Sequence, residues 1–256
     1  MTNTEKSRPL KIRYMSDIHL EFSDFTPAKI AADVVVLAGD IHTGTEGLEW
    51  AAKHFTGCPI IYLPGNHEYY EHDFLANHAA MIEAAERLGI HFLDNREVII
   101  GHVRFVGGTL WTDFSLLGSQ ELTMREAGNY MNDYRRITNR QASLYPEDTL
   151  ALHETTRAFL VRKLAESFDG KTVVVTHHAP SPRSIPAALQ EELMSAAYAS
   201  NLEQLAQQAN VWIHGHTHQR HNYQIGQCQV LCNPRGYITE FFQDKTGFDE
   251  KALVEI

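Results

Sequence analysis

Asp33-Val34-Val35-Val36-Leu37-Ala38-Gly39-Asp40 is the stretch whose reading decides the fold. An unbroken apolar run that stops at a glycine and a carboxylate is the pattern of a strand covered on both faces, and sheets of that kind bind ligands at the carboxyl ends of their strands. Three further stretches share this grammar. Lys11 to Met15 runs into Asp17-Ile18-His19, Ile60 to Leu63 into Pro64-Gly65-Asn66-His67, and Val173 to Thr176 into His177-His178. A fifth, Val211 to Ile213, leads to His214-Gly215-His216-Thr217-His218. Each apolar strand ends in a side chain of the type that ligates metals.

The segments between these strands read as mostly helical. Thr45 to Phe55 carries Leu48, Trp50, Ala51 and Phe55 at helical spacing and stops before Pro59. Glu68 to Leu88 keeps an apolar face closed by Gly89. Thr149 to Phe168 places Leu152, Thr156, Phe159, Leu160 and Leu164 on one stripe, and Asn201 to Gln208 is a shorter candidate. Two hairpins are expected, Glu97 to Ile100 with Val103 to Val106, and Tyr223 to Ile225 with Gln229 to Leu231. Residues 112–148 have no clean period but many polar and aromatic groups, which suggests a cap or lid over the strand ends. Met1 to Pro9 reads as a flexible start and the chain after Gly236 as a polar tail. No linker divides the sequence, so residues 1–256 are expected to form one domain.

With 43% hydrophobic residues the chain has enough apolar material for a large core, and its net charge of −10 disfavours a nucleic-acid partner. No run is long enough to span a bilayer and the N-terminus has no apolar leader, so a soluble, cytoplasmic protein is expected. The three cysteines, Cys58, Cys228 and Cys232, lack CxxC spacing and read as small hydrophobes. Composition says nothing of the oligomeric state.

The ordered set Asp17-x-His19, Gly39-Asp40, Gly65-Asn66-His67-Glu68, His177-His178 and Gly215-His216-x-His218 resembles the signature of the calcineurin-like metallophosphoesterases. That pattern is DxH, GD, GNH followed by E or D, a lone H, and GHxH. The resemblance spans about Lys11 to Cys232 and leaves out the insertion and the tail. It implies an α/β fold, a four-layer α-β-β-α sandwich of two mostly mixed sheets flanked by helices, with two metals at the strand ends. Its first metal would take Asp17, His19, Asp40 and His218, and its second Asp40, Asn66, His177 and His216, with Asp40 as the bridge. His178 can exchange roles with His177 in the alignment. The residue directly following the strand, His177, is the choice. His67 would be the catalytic residue, stabilising the transition state or protonating the leaving group.

The residue types suit that chemistry on their own terms. Two dications and the carboxylates of Asp17 and Asp40 leave a positive surplus that attracts phosphate, and the neutral amide of Asn66 preserves it. Ions about 3.5–4 Å apart activate a shared water and neutralise the oxygens of an in-line displacement. Imidazole and carboxylate without thiolate suit Mn, Fe or Zn, with Co and Ni also accommodated. The protein phosphatases of this superfamily read GDxxDRG, whereas Gly39-Asp40 here is followed by Ile41-His42-Thr43-Gly44, so the aspartate that would orient the catalytic histidine is missing. His42, His178 and Arg235 are candidate substrate contacts. The expected activity is hydrolysis of a small phosphomonoester or phosphodiester. The rivals are a nuclease of the same superfamily and a binding module that keeps the fold without catalysis.

Overall fold

The computed structural model describes residues 8–256; most of the start expected to be flexible, residues 1–7, lies outside the described residues. In chain order, β1 (Lys11–Met15), β2 (Val34–Ala38), α1 (Glu46–His54), β3 (Ile60–Leu63), α2 (Phe74–Leu88) and β4 (His91–Phe92) form the first half. A hairpin of β5 (Arg96–Ile100) and β6 (Val103–Gly108) crosses to the second half. There follow α3 (Gln120–Tyr130), α4 (Asp133–Arg136), the ribbon β7 (Thr138–Asn139) and β8 (Ala142–Ser143), and α5 (Pro146–Ala165). β9 (Lys171–Thr176), α6 (Glu203–Ala206), β10 (Val211–His214), β11 (His221–Ile225), β12 (Cys228–Cys232) and β13 (Leu253–Glu255) complete the chain.

Two mixed sheets result, ordered β13-β1-β2-β3-β4 and β11-β12-β10-β9-β6-β5. The alternation of side chains along each strand explains why the apolar runs have no polar face. Val34, Val36 and Ala38 point into the core between the sheets, where they meet Val103, Phe105, Val173, Val175 and Ile213. Val35 and Leu37 point the other way, against residues of α1 and α2 such as Leu48 and Met81. On the far side, Val174 and Trp212 pack on Phe159, Leu160 and Leu164 of α5. The expected order helix, sheet, sheet, helix is therefore built from strands buried on both faces.

β1, β2, β3 and β4 run parallel, as do β6, β9, β10 and β12, so the carboxyl ends of each set gather along one edge of their sheet. The elements differ from expectation in five places. The helix foreseen from Glu68 is a single 3-10 turn, His67–Tyr69, and α2 starts afresh at Phe74, where the Asp73 carboxylate accepts from the Ala76 N–H. The backbone breaks there because the Glu68 side chain is committed to the strand-end loops described below. α5 begins at Pro146 rather than Thr149, since proline suits the first helical turn and the Asp148 carboxylate accepts from the Tyr145 N–H. α6 covers only four residues. Residues 112–148 contain two helices; α3 buries only Thr123 and Ala127, too few positions to leave a legible period. The polar tail ends in β13, which pairs antiparallel with β1.

Candidate metal centre

The strand ends meet as the sequence grammar requires, and the backbone there is unusual. Asp17, His19, Asp40, His216 and His218 have φ of 50°, 51°, 55°, 69° and 47°, a left-handed region that such residues rarely enter. A sharp turn therefore follows β1, β2 and β10, whereas Asn66 has a right-handed φ of −81°. The approach is close enough to demand glycine: a Cβ on Gly65 would lie 2.1 Å from Asp40 Oδ1.

Two clusters form. Asp17, His19 and His218 present ligand atoms all within 4.8 Å of one another, and so do Asp40, His177 and His216. Nε2 of His19 lies 3.1 Å from Nε2 of His218, 3.8 Å from Asp40 Oδ2, and His218 Nε2 lies 3.4 Å from Asp17 Oδ1. In the second cluster His177 Nε2 lies 3.1 Å from Asn66 Oδ1, 3.2 Å from His216 Nδ1 and 3.3 Å from Asp40 Oδ2. Asp40 Oδ2 thus faces both groups, while its Oδ1 accepts from the His67 N–H at 2.9 Å.

The outer nitrogens fix which way the lone pairs point. His19 Nδ1 faces Glu21 Oε1 at 3.0 Å and His218 Nδ1 faces Asp244 Oδ2 at 2.7 Å, so both rings donate outward and turn Nε2 inward. His177 Nδ1 donates to the Ala38 carbonyl, and the Asn66 amide donates to Asp133 Oδ1 at 2.8 Å and to Tyr70, which leaves its Oδ1 facing His177. His216 Nε2 is buried without a partner. Acceptor atoms converging at these distances require positive charge between them. Burial opposes a charged ring at His218, yet Asp17 and Asp244 push its pKa up to about 10, and against the same burial Asp40 raises that of His177. The donor set of imidazole, carboxylate and amide oxygen fits a divalent transition metal.

His67 occupies the rim. Its Nδ1 faces the same Glu21 oxygen at 2.8 Å, and its Nε2 faces the Tyr237 hydroxyl at 3.0 Å. Glu21 is mostly buried; burial alone would raise its pKa, but the two histidines hold it down to about 2. Glu21, rather than a residue at position 43, is thus the carboxylate that His67 meets. His67 also falls within reach of His19 and Asp40 as a possible third grouping, but both its nitrogens already have partners. Glu68 ties the loops together, accepting from the N–H groups of Asp40, Ile41 and Gly65 and from the Tyr62 hydroxyl. Burial and the neighbouring Asp40 push its pKa up to about 7.

Of the histidine doublet, the chain brings His177 to Asp40. His178 turns away, its Nδ1 on the Thr109 carbonyl and its ring against Trp111 and His216. Two suggested substrate contacts lie elsewhere. His42 faces the carbonyl of Thr43 and is not on the wall of the central cavity. Arg235 donates to the carbonyls of Ile18, Ser23 and Asp24 and to the Ser23 hydroxyl, stacking on Phe25, so it braces the 18–24 loop rather than reaching the site. Its neighbour two residues on, Tyr237, is the one that reaches it.

Glu21, Asp133, Tyr237 and Asp244 escaped the sequence reading. Glu21 alone carried a local signal, two residues after His19. The other three come from the insertion and the tail, far away in sequence, and only the folded chain brings them in.

The central cavity, about 430 Å³, is lined by Asp40, Asn66, His67, Tyr70, His216, His218 and Tyr237 together with Tyr130, Met131, Asn132, Asp133, Met194, Tyr198 and Thr217. Among the described residues no lysine or arginine lines it.

The sandwich carries at its strand ends groups of histidines and carboxylates spaced as metal ligands are. A profile of the calcineurin-like phosphoesterases matches residues 10–220, most of the chain, and the protein belongs to that family. It is 25% identical over 283 aligned positions to an uncharacterized protein of Acanthamoeba polyphaga mimivirus, covering 96% of each chain. Among solved structures it resembles a phosphopantetheinyl hydrolase from Mycobacterium tuberculosis, with a TM-score of 0.70, 17% identity and 90% of each chain covered. At that identity the likeness speaks for the fold. Among the described residues no helix is long and apolar enough to cross a membrane.

Proposed function

We propose that this protein is a metal-dependent hydrolase of small phosphoesters, with one ion held by Asp17, His19, Asp40 and His218, a second by Asp40, Asn66, His177 and His216, and His67 as the catalytic residue. The observation that carries this reading is the facing pair of Nε2 atoms on His19 and His218, 3.1 Å apart, each ring already donating its other proton to a carboxylate. Bound there, Mn, Fe or Zn would lower the pKa of the attacking water and offset the charge of the phosphoryl oxygens.

The chain itself does the rest. Asp133 and Tyr70 fix the Asn66 amide so that only its oxygen faces inward. Glu21 holds the Nδ1 proton of His67 and leaves Nε2 at the cavity, where the leaving oxygen of a substrate would replace the Tyr237 hydroxyl. A protonated His67 then donates from Nε2 to that oxygen as its bond to phosphorus breaks. Residues 112–148 serve as the cap, a role supported by Tyr130, Met131, Asn132 and Asp133 on the cavity wall. The absence of basic groups from that wall, among the described residues, disfavours the nuclease reading, since tracking a nucleic-acid backbone needs them.

The test uses the leaving group. A nitrophenolate departs without help and an alkoxide does not, and a general acid contributes roughly 10²- to 10⁴-fold. His67→Ala should keep its metal, retain much of its rate on a nitrophenyl ester, and lose most of it on an alkyl ester of the same phosphate. Equal losses on both esters would discard the acid role and leave His67 as a hydrogen-bond donor to the phosphoryl group.

A further inference from the structure

Beside the central cavity lies a second one of about 430 Å³, walled by Ile185, Pro186, Leu189, Met194 and Tyr198, with Glu192 at its edge. The two adjoin, with Met194, Tyr198 and Thr217 on the walls of both. The side cavity opens on the His216 flank of the site: the Tyr198 ring lies 4.9 Å from that of His216. His67 is on the other flank, against His19, Tyr70 and Tyr237. Leu189 and Tyr198 keep 49% and 37% of their surface exposed, and large apolar groups left open beside a polar centre mark a place where ligand lies.

We infer that the side cavity is a specificity subsite for the retained arm of a phosphodiester, and that this arm is uncharged and apolar or aromatic. The inference rests on the hydrolase reading above. With the leaving oxygen directed to His67, a group at the opposite flank must be the arm that stays on phosphorus, and a monoester has none. Charge agrees: among the described residues the side cavity has no lysine or arginine on its wall, and its charged side chain is Glu192. An arm bearing phosphates or carboxylates finds no cationic partner there and faces Glu192. In the reaction, water gives up a proton to solvent and forms the new P–O bond, the bond to the leaving oxygen breaks, that oxygen takes the proton from His67, the retained arm leaves as a monoester, and His67 regains a proton from solvent.

The experiment measures kcat/KM of the full chain, loaded with Mn, on nitrophenyl phosphodiesters whose second arm is methyl, ethyl, butyl or carboxypropyl, with nitrophenyl phosphate as the monoester. A buried methylene is worth about fourfold, so three methylenes buried about halfway should raise kcat/KM about tenfold from methyl to butyl. The carboxypropyl arm should fall to the methyl value or below, and the monoester should be the poorest substrate. Leu189→Glu should bring the butyl-to-methyl ratio close to one, and Leu189→Met should restore it. A flat series in a protein that cleaves the methyl diester overturns the subsite and leaves the hydrolase reading intact. So does a wild-type ratio in Leu189→Glu, or a preference for the monoester. No cleavage of any of these esters by metal-loaded protein removes the hydrolase reading and the subsite with it.

Discussion

Glu21 offers the sharpest single perturbation. One of its oxygens, Oε1, serves both His19 at 3.0 Å and His67 at 2.8 Å, and its other oxygen, Oε2, is buried without a partner. Glu21→Ala removes the acceptor from a proposed metal ligand and from the proposed acid in one step. Loss of such an outer partner typically costs about 10- to 100-fold in metal affinity or activity. Glu21→Gln is different, because an amide can place its oxygen where Oε1 stands and its NH₂ where Oε2 is. That keeps both bonds and removes only the charge, a difference of about 1 kcal/mol per bond between charged and neutral acceptors. The expected order is therefore a loss of about 100-fold for alanine and about 30-fold for glutamine on an alkyl ester, with a smaller loss on a nitrophenyl ester. Metal content after dialysis against a weak chelator and rates on the two esters are the measurements. Alanine at position 21 with metal content and both rates within about twofold of the parent would refute the argument.

Three further outcomes follow from geometry. Because Asp40 Oδ2 faces both clusters, Asp40→Ala should empty both sites in a metal assay, while His19→Ala should chiefly weaken one; equal, mild effects would contradict a bridging role. Gly65→Ala places a methyl 2.1 Å from Asp40 Oδ1 and 2.7 Å from His177 Nε2, so circular dichroism should report an intact fold with metal affinity down more than about tenfold; normal affinity would show that the loop can yield. Arg235→Ala strips four bonds from the 18–24 loop, a cost of about 2–4 kcal/mol, or roughly 5–15 °C in Tm for a chain of this size, with KM unchanged; a raised KM at constant Tm would make Arg235 a substrate contact after all.

How far the sequence could be read depends on where each signal is written. The strands were legible because burial on both faces leaves runs such as Val34-Val35-Val36-Leu37 with no polar interruption. The residues brought together at the strand ends were legible because each lies within a few positions of its strand. α3 was not, since it is half covered and only Thr123 and Ala127 are fully buried on it. β13 was not, because three residues carry no period and its pairing with β1 joins opposite ends of the chain. Asp133, Tyr237 and Asp244 were hidden for the same reason: a lone polar residue in a loop acquires its place only from the fold. Arg235 shows the converse, a conspicuous charge whose donors are spent on backbone carbonyls.

The left-handed backbone at Asp17, His19, Asp40, His216 and His218 has a consequence for how such a chain changes over time. Each non-glycine residue held there costs roughly 1–2 kcal/mol relative to a relaxed conformation. Glycine at any of these positions would relieve that strain and remove a side chain from the centre, so the most accessible stabilising substitutions are the ones that would abolish the proposed chemistry. A lineage released from selection for activity should therefore drift toward glycine or asparagine at the strand ends while its core stays intact.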